Sequence, residues 1–208
     1  MSKKILSWLF ILGLSGTSAA FAAEGCTINR IEGDVQLMRD HQWTSVKVKD
    51  SFQKGDTLQT GGQCSADLAM NGLAGCRILA SSQVDVMGSD SANMSLKVVK
   101  GNVILNLRKL PKESSFQVET PSAVAVVRGT QFWGRVLDSE CLSCAGPKTT
   151  IAVREGTVQI THKATSKVFS LTKGQALDMV GTTTPTLRQA LPAEMQAMEQ
   201  ANAIRTSE

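Results

Sequence analysis

The one constellation in this sequence whose spacing could do chemistry is Cys141-Leu142-Ser143-Cys144. A C-x-x-C becomes a redox pair when a helix N-terminus lowers the pKa of one thiol. It can also be half of a four-ligand zinc site, or simply a local structural disulfide. Here Gly146-Pro147 follows, the setting reads as a loop between strands, and no helix is predicted behind it. A second C-x-x-C is missing, because Cys64 and Cys76 have eleven residues between them. The disulfide is therefore the leading reading, with thiol–disulfide or metal handling as the alternative. Cys26, Cys64 and Cys76 complete an odd set of five whose pairing stays open.

No catalytic residue and no cofactor site emerge elsewhere. A phosphate-binding glycine loop, G-x-S-x-G and H-E-x-x-H are all missing. His41 and His162 lie far apart, each beside polar residues, and are expected to be solvated. Asp138 and Glu140 share a polar turn that gives no reason for shifted pKa values. Trp43 sits near a turn, and one of Phe132 and Trp133 is expected to face outward from an alternating segment. Two exposed indoles could stack on an envelope glycan, but core packing or a protein interface is the commoner fate of tryptophan.

The start of the chain sets the expected compartment. Lys3 and Lys4, the apolar run Ile5 to Leu14, and Ala20-Phe21-Ala22 make a secretory signal peptide over 1–22, cut near Ala22. No later segment reaches the ~20 apolar residues of a membrane span, so the mature chain is expected in the periplasm or secreted. Losing Lys3 and Lys4 takes the basic residues from 22 to 20 against 18 acidic ones, a net charge of +2. With no clustered basic patch, nucleic acid is not an expected partner. Glu24, two residues before Cys26, argues against a lipid-modified cysteine there.

The elements that must position these residues read as short strands. Ser65–Met70, Gln83–Met87 and Thr157–Ile160 alternate polar and apolar residues, and Asn71-Gly72 and Gly88-Ser89-Asp90 are turn signals. Two phrases recur. RIEGDVQL, VVKGNVIL and VREGTVQI centre on Gly33, Gly101 and Gly156; FQKGDTL, VVRGTQF and LTKGQAL centre on Gly55, Gly129 and Gly174. They alternate strictly along the chain. Each reads as a corner between strands, with a glycine at the bend and apolar residues turned inward on either side. Unevenly spaced corners of this kind suggest a β-solenoid or coiled sheet with degenerate internal repeats. Over 23–186 the chain is thus expected to be all-β. Within 187–208, Leu191, Met195, Met198 and Ala201 or Ile204 recur at helical steps after Pro192, giving a short helix at about 192–204 that could cap one end.

The segment ETPSAVAVVRGTQFWGRV carries a resemblance. Together with GDTLQT, VVKGNVIL and VREGTVQI it is similar to the FecR domain, named after the regulator of ferric citrate uptake. The phrase T-P-x-A-x-x-x-V-R-G-T-x-F is filled at every position by Thr120, Pro121, Ala123, Val127, Arg128, Gly129, Thr130 and Phe132. The resemblance covers about 55–160. It implies an all-β periplasmic module that works by protein–protein contact, with an envelope protein as the partner. In the named regulator the module follows an anti-sigma segment and a membrane helix. Neither is read in this sequence, so the resemblance carries the domain and the compartment but not control of a sigma factor. Arg128 is expected to anchor its corner, since Lys54 and Lys173 hold the corresponding places in the sister phrases.

The corner reading predicts which side chains face inward. Burying a valine is worth roughly 1.5–3 kcal/mol. Val158→Asp is therefore expected to unfold its layer and loosen its neighbours, while Gln159→Asp is nearly silent. Thermal melts of both variants beside the parent check this, and equal losses would reverse the inward–outward assignment.

Overall fold

The structure, a computed structural model, describes residues 25–111, 114–137 and 146–201. The first nine strands are β1 (Cys26–Glu32), β2 (Val35–Arg39), β3 (Gln42–Ser45), β4 (Ser51–Phe52), β5 (Thr57–Thr60), β6 (Ser65–Met70), β7 (Ala74–Ile78), β8 (Gln83–Ser89) and β9 (Asn93–Leu107). Eight more follow: β10 (Ser115–Glu119), β11 (Ala123–Val127), β12 (Gln131–Leu137), β13 (Lys148–Glu155), β14 (Thr157–His162), β15 (Val168–Thr172), β16 (Gln175–Val180) and β17 (Thr186–Gln189). One helix, α1 (Pro192–Gln200), closes the described chain.

The strands pair into two sheets. Sheet A runs β4–β1–β6–β7–β9–β12–β13–β16–β17. Sheet B runs β3–β2–β5–β8–β9–β10–β11–β14–β15. β9 belongs to both: its first half pairs β8 and β10, and its second half pairs β7 and β12. Among the described residues the β9–β10 pairing is the one parallel contact. The all-β expectation holds, in the form of a coiled double sheet built largely from antiparallel neighbours rather than stacked parallel turns. Period-2 alternation decides the core. Leu68, Ile78, Leu105, Phe132 and Val153 from sheet A meet Leu58, Val84, Leu96, Phe116 and Ile160 from sheet B in one apolar cluster.

All six corner glycines have positive φ: 73° at Gly33, 96° at Gly55, 90° at Gly101, 64° at Gly129, 80° at Gly156 and 81° at Gly174. Each lies where the chain passes between sheets. Gly33, Gly55 and Gly156 lead from A to B, whereas Gly101, Gly129 and Gly174 lead from B to A. The two phrases therefore do not each mark one direction of crossing. What distinguishes the first phrase is crowding. A Cβ on Gly101 would collide with Ser82, one on Gly33 with Cys64 Sγ, and one on Gly156 would lie 2.5 Å from Thr130 Cγ2 and 2.6 Å from Gly129 O. In each case the neighbouring corner fills the space. The valines two residues on, Val35, Val103 and Val158, are all buried.

Helix α1 lies on the outer face of sheet A instead of capping an end. Met198 and Ala201 cover Ile104, Trp133, Ala152 and Ala176, which form a continuous cross-strand row. This corrects the expectation that one of Phe132 and Trp133 faces solvent. Phe132 points into the core and Trp133 into this second apolar layer, 8% exposed. Consecutive strand residues point to opposite faces, and here both faces are covered.

The crowding at Gly156 separates two otherwise similar substitutions. Both Gly55→Ala and Gly156→Ala place a Cβ at positive φ, at a cost of about 1–2 kcal/mol. Around Gly55 nothing lies within 4 Å, so little is added there. Gly156→Ala must also displace backbone of the adjacent corner, for a total of about 3–4 kcal/mol. Denaturant titration of the two variants is expected to show that ordering.

Candidate functional site

The segment Thr120–Phe132 builds two devices at opposite ends of one strand. At the first, Thr120 closes the turn from β10 to β11. Its N–H donates to Ala123 O at 2.8 Å, and its Oγ1 accepts from Ala123 N–H at 3.0 Å. Pro121, exposed between them, fixes φ for the turn. Lys163 Nζ ties the turn to the next hairpin, donating to Thr120 O at 2.7 Å and Glu119 Oε1 at 2.6 Å. Ala123 and Val127 face the core. At the other end, Arg128-Gly129-Thr130 crosses from sheet B to sheet A. Leu107 N–H donates to Thr130 O at 2.9 Å, which fastens this corner to the end of β9. Among the described residues, Thr130 Oγ1 is the one buried side-chain polar atom without a hydrogen bond. Phe132 then enters the core.

Arg128 is exposed at this corner, between two open depressions. One, of about 540 Å³, is lined by Leu107, Lys109, Leu110, Arg128 and Gly129. The other, of about 390 Å³, lies against the outer face of sheet B and includes Ser114, Ser115, Val126, Thr157 and Gln159 besides Arg128. Their linings offer hydroxyl, amide, ammonium and guanidinium groups beside aliphatic surface. Such groups bind; none of them is a general base or an activated nucleophile.

The described cysteines are free thiols, and two of them lie in settings that suppress reactivity. Burial pushes the Cys26 thiol up to about 11 and Cys76, wholly buried, higher still. Cys64 is half-buried at a corner, its Sγ 3.1 Å from the Asp34 N–H. Cys141 and Cys144, with Asp138 and Glu140, lie outside the described residues. No cluster of metal-ligating side chains occurs among the described residues.

His41 is exposed, but His162 is completely buried, contrary to the expectation of a solvated ring. The reason is local. Nδ1 lies 2.9 Å from Thr165 Oγ1 and Nε2 lies 3.3 Å from Gly181 O, so both ring nitrogens are satisfied without water. Trp43 is 43% exposed while Trp133 is under α1, so the two indoles form no joint sugar platform.

One polar centre escapes sequence reasoning. Arg188 on β17 donates to Asp178 of β16 at 2.9 and 3.2 Å and to Glu194 of α1 at 2.6 and 2.9 Å. Thr150 Oγ1 adds a bond to Asp178 at 2.6 Å. Glu194 also accepts the Leu191 N–H at 2.7 Å, closing the first turn of the helix. Glutamate two residues after Pro192 is the only trace of this in the sequence. Burial pushes the Asp178 carboxyl up, but the hydrogen bonds from Arg188 and Thr150 and the charges of Arg188 and Lys148 outweigh it. The net value falls below the ordinary 3.8.

A family model described as "FecR protein" matches residues 56–159. No curated protein matches the chain in sequence. Two crystal structures of a candidate anti-sigma factor from Parabacteroides distasonis share the fold. Both have a TM-score of 0.57, with 13% and 14% identity, over 69% of this chain and 64% of that one. The chain thus spans just under two thirds of that protein's length.

The Asp178–Arg188–Glu194 centre generates a pH prediction. A carboxyl whose folded pKa is lowered stabilises the fold above its unfolded pKa and ceases to do so as pH falls through the folded value. The Asp178–Arg188 tie between β16 and β17 is therefore expected to be intact above the ordinary carboxylate range and to weaken as pH falls below it, loosening the Arg188 side chain that holds α1. Arg188→Ala should release the helix at neutral pH, at about 2–3 kcal/mol given the partial exposure of the pair. A red shift of Trp133 fluorescence reports both events; unchanged emission in Arg188→Ala would contradict the role assigned to the clamp.

Proposed function

This chain belongs to the FecR protein family, and we propose that it works as a non-enzymatic interaction and sensing module of the cell envelope. The observation that carries this reading is how the molecule uses its family segment. Residues 56–159 supply the centre of both sheets. The most distinctive phrase in that span goes into a turn and a corner, flanked by surface that can bind but holds no assembled chemistry. Cys26 and Cys76, whose thiols a redox role would need ionised, are held protonated by burial.

On this reading the signal peptide is removed near Ala22 and the rigid double sheet presents its uncovered face to an envelope protein. α1 covers the β9–β12–β13–β16 part of sheet A, whereas the outer face of sheet B carries Val124, Val126, Gln117, Gln159 and Thr161 with no described element over it. Among the described residues no helix is long and apolar enough to cross a membrane. The anti-sigma label belongs to the structural neighbour; here it supports a regulatory partner rather than a reaction.

The test is site-specific photocrosslinking in living cells. A photoreactive residue at Val126 is expected to give a discrete adduct with one envelope protein, while the same residue at Ala176, beneath α1, gives none. N-terminal sequencing of the exported form should begin at Ala23. Absence of any adduct from Val126, with the protein exported and folded, would remove the reading.

A further inference from the structure

Sheet B ends on β15, and no described strand lies along its outer side. Among the described residues β14 is the strand that pairs with it. The hairpin fixes which backbone groups are free. His162 N–H donates to Lys167 O at 2.9 Å, so these two residues form a hydrogen-bonded pair. Antiparallel ladders alternate between bonded and non-bonded pairs. In the same register, Ile160–Phe169 and Val158–Leu171 are then also bonded pairs. The N–H and C=O groups of Phe169 and Leu171 point to β14, and those of Val168, Ser170 and Thr172 point away from it. Thr172 agrees with this: its N–H donates to Gln175 Oε1 at 2.8 Å, beyond the strand end. No comparable cap covers Val168 or Ser170 among the described residues.

Edges of this kind are normally blunted by charge, proline, a bulge or shortness. β4 has two residues, β3 has four, and β17 carries Arg188 and runs into α1. β15, VFSLT, has five residues with no charge, proline or bulge. Val168 is 65% exposed, and Ser170 and Thr172 continue an uncharged outward row. The charges sit at the flanks, as Lys167 and Lys173. They act against a second copy of this chain. Antiparallel self-pairing centred on Ser170 would set Lys167 against Lys173 at both ends, and like charges across strands repel.

We propose that the β15 edge receives an extended segment of another protein, β-branched and uncharged at its centre and acidic at both flanks. The segment would add to sheet B as a further strand, bonding to Val168 and Ser170 and neutralising the two lysines. This rests on the interaction-module reading and names the chemistry of its partner.

The probes are a labelled peptide, Glu-Val-Thr-Val-Thr-Val-Glu, and its twin with lysine at each end, titrated by fluorescence anisotropy against the mature protein. The acidic peptide is expected to bind and the basic one not. Lys167→Glu with Lys173→Glu should reverse that preference. Ser170→Pro removes an outward N–H while sparing the ladder to β14, as proline is tolerated on an edge strand. It should keep the parent melting temperature and weaken the acidic peptide by about tenfold. If that variant does not fold, amide exchange on the parent carries the test. The Val168 and Ser170 amides should exchange at least about tenfold more slowly with saturating acidic peptide. Equal binding of both peptides, binding of neither, or unslowed exchange at those amides overturns the proposal. A crosslinked partner at Val126 with no effect at β15 removes the edge proposal alone; peptide binding at β15 without any envelope adduct removes the functional reading alone.

Discussion

Wherever the first-phrase glycines carry the chain from one sheet to the other, an adjacent corner already occupies the place a side chain would need. At Gly101 that neighbour is Ser82, whose Oγ also accepts the Asn102 N–H at 2.9 Å. Ser82 N–H in turn donates to Thr60 Oγ1 at 3.1 Å, and Thr60 Oγ1 lies 2.6 Å from Leu79 O. One missing Cβ thus lets three successive corners stack close enough to satisfy one another's backbone groups away from water. Buried backbone left unpaired would cost free energy at every crossing. The two sheets can share a core only because these crossings are both tight and satisfied.

The two outer faces then receive opposite treatment. Sheet A turns an apolar row outward, Ile104, Trp133, Ala152 and Ala176, and that row demands a cover. Helix α1 supplies it, held at its start by Arg188 and near its end by Gln131 Nε2, which donates to Met198 O at 2.9 Å. Sheet B turns outward a mixture of valine with uncharged and charged polar residues that water tolerates. The covered face stabilises the module, and the uncovered one leaves surface for contact. This division of labour is what a rigid binding module requires.

Much of the fold is legible in the sequence because its signals are short-range. Asn71-Gly72 forms a tight turn with φ of 50° and 63°, as the dipeptide suggests. Alternation in Thr157–His162 reports directly which side chains are buried. Other features resist because their causes lie across the sheet. Asp40 and His41 make a turn of the same kind, φ 51° and 64°, with no glycine to announce it. Trp133 looks half-exposed until a helix sixty residues later is laid over it. His162 sits among polar residues in sequence, yet Gly181 and Thr165 enclose its ring. Arg188, Asp178 and Glu194 have no mutual spacing that marks them as a unit; the register of β16 with β17 brings the first two together.

β9 also shapes the order in which the molecule can be completed. Its fifteen residues take β7 and β8 on one side and β10 and β12 on the other. A chain made from its N-terminus reaches Leu107 with the first partners present and the second still unmade. At that moment the half-molecule carries a raw margin along both sheets at once. The parallel pairing with β10 cannot form through a simple hairpin, and long-range closures of this sort are slow. A single strand threaded through two layers therefore gives the finished protein its continuity and leaves the unfinished one with two unguarded seams.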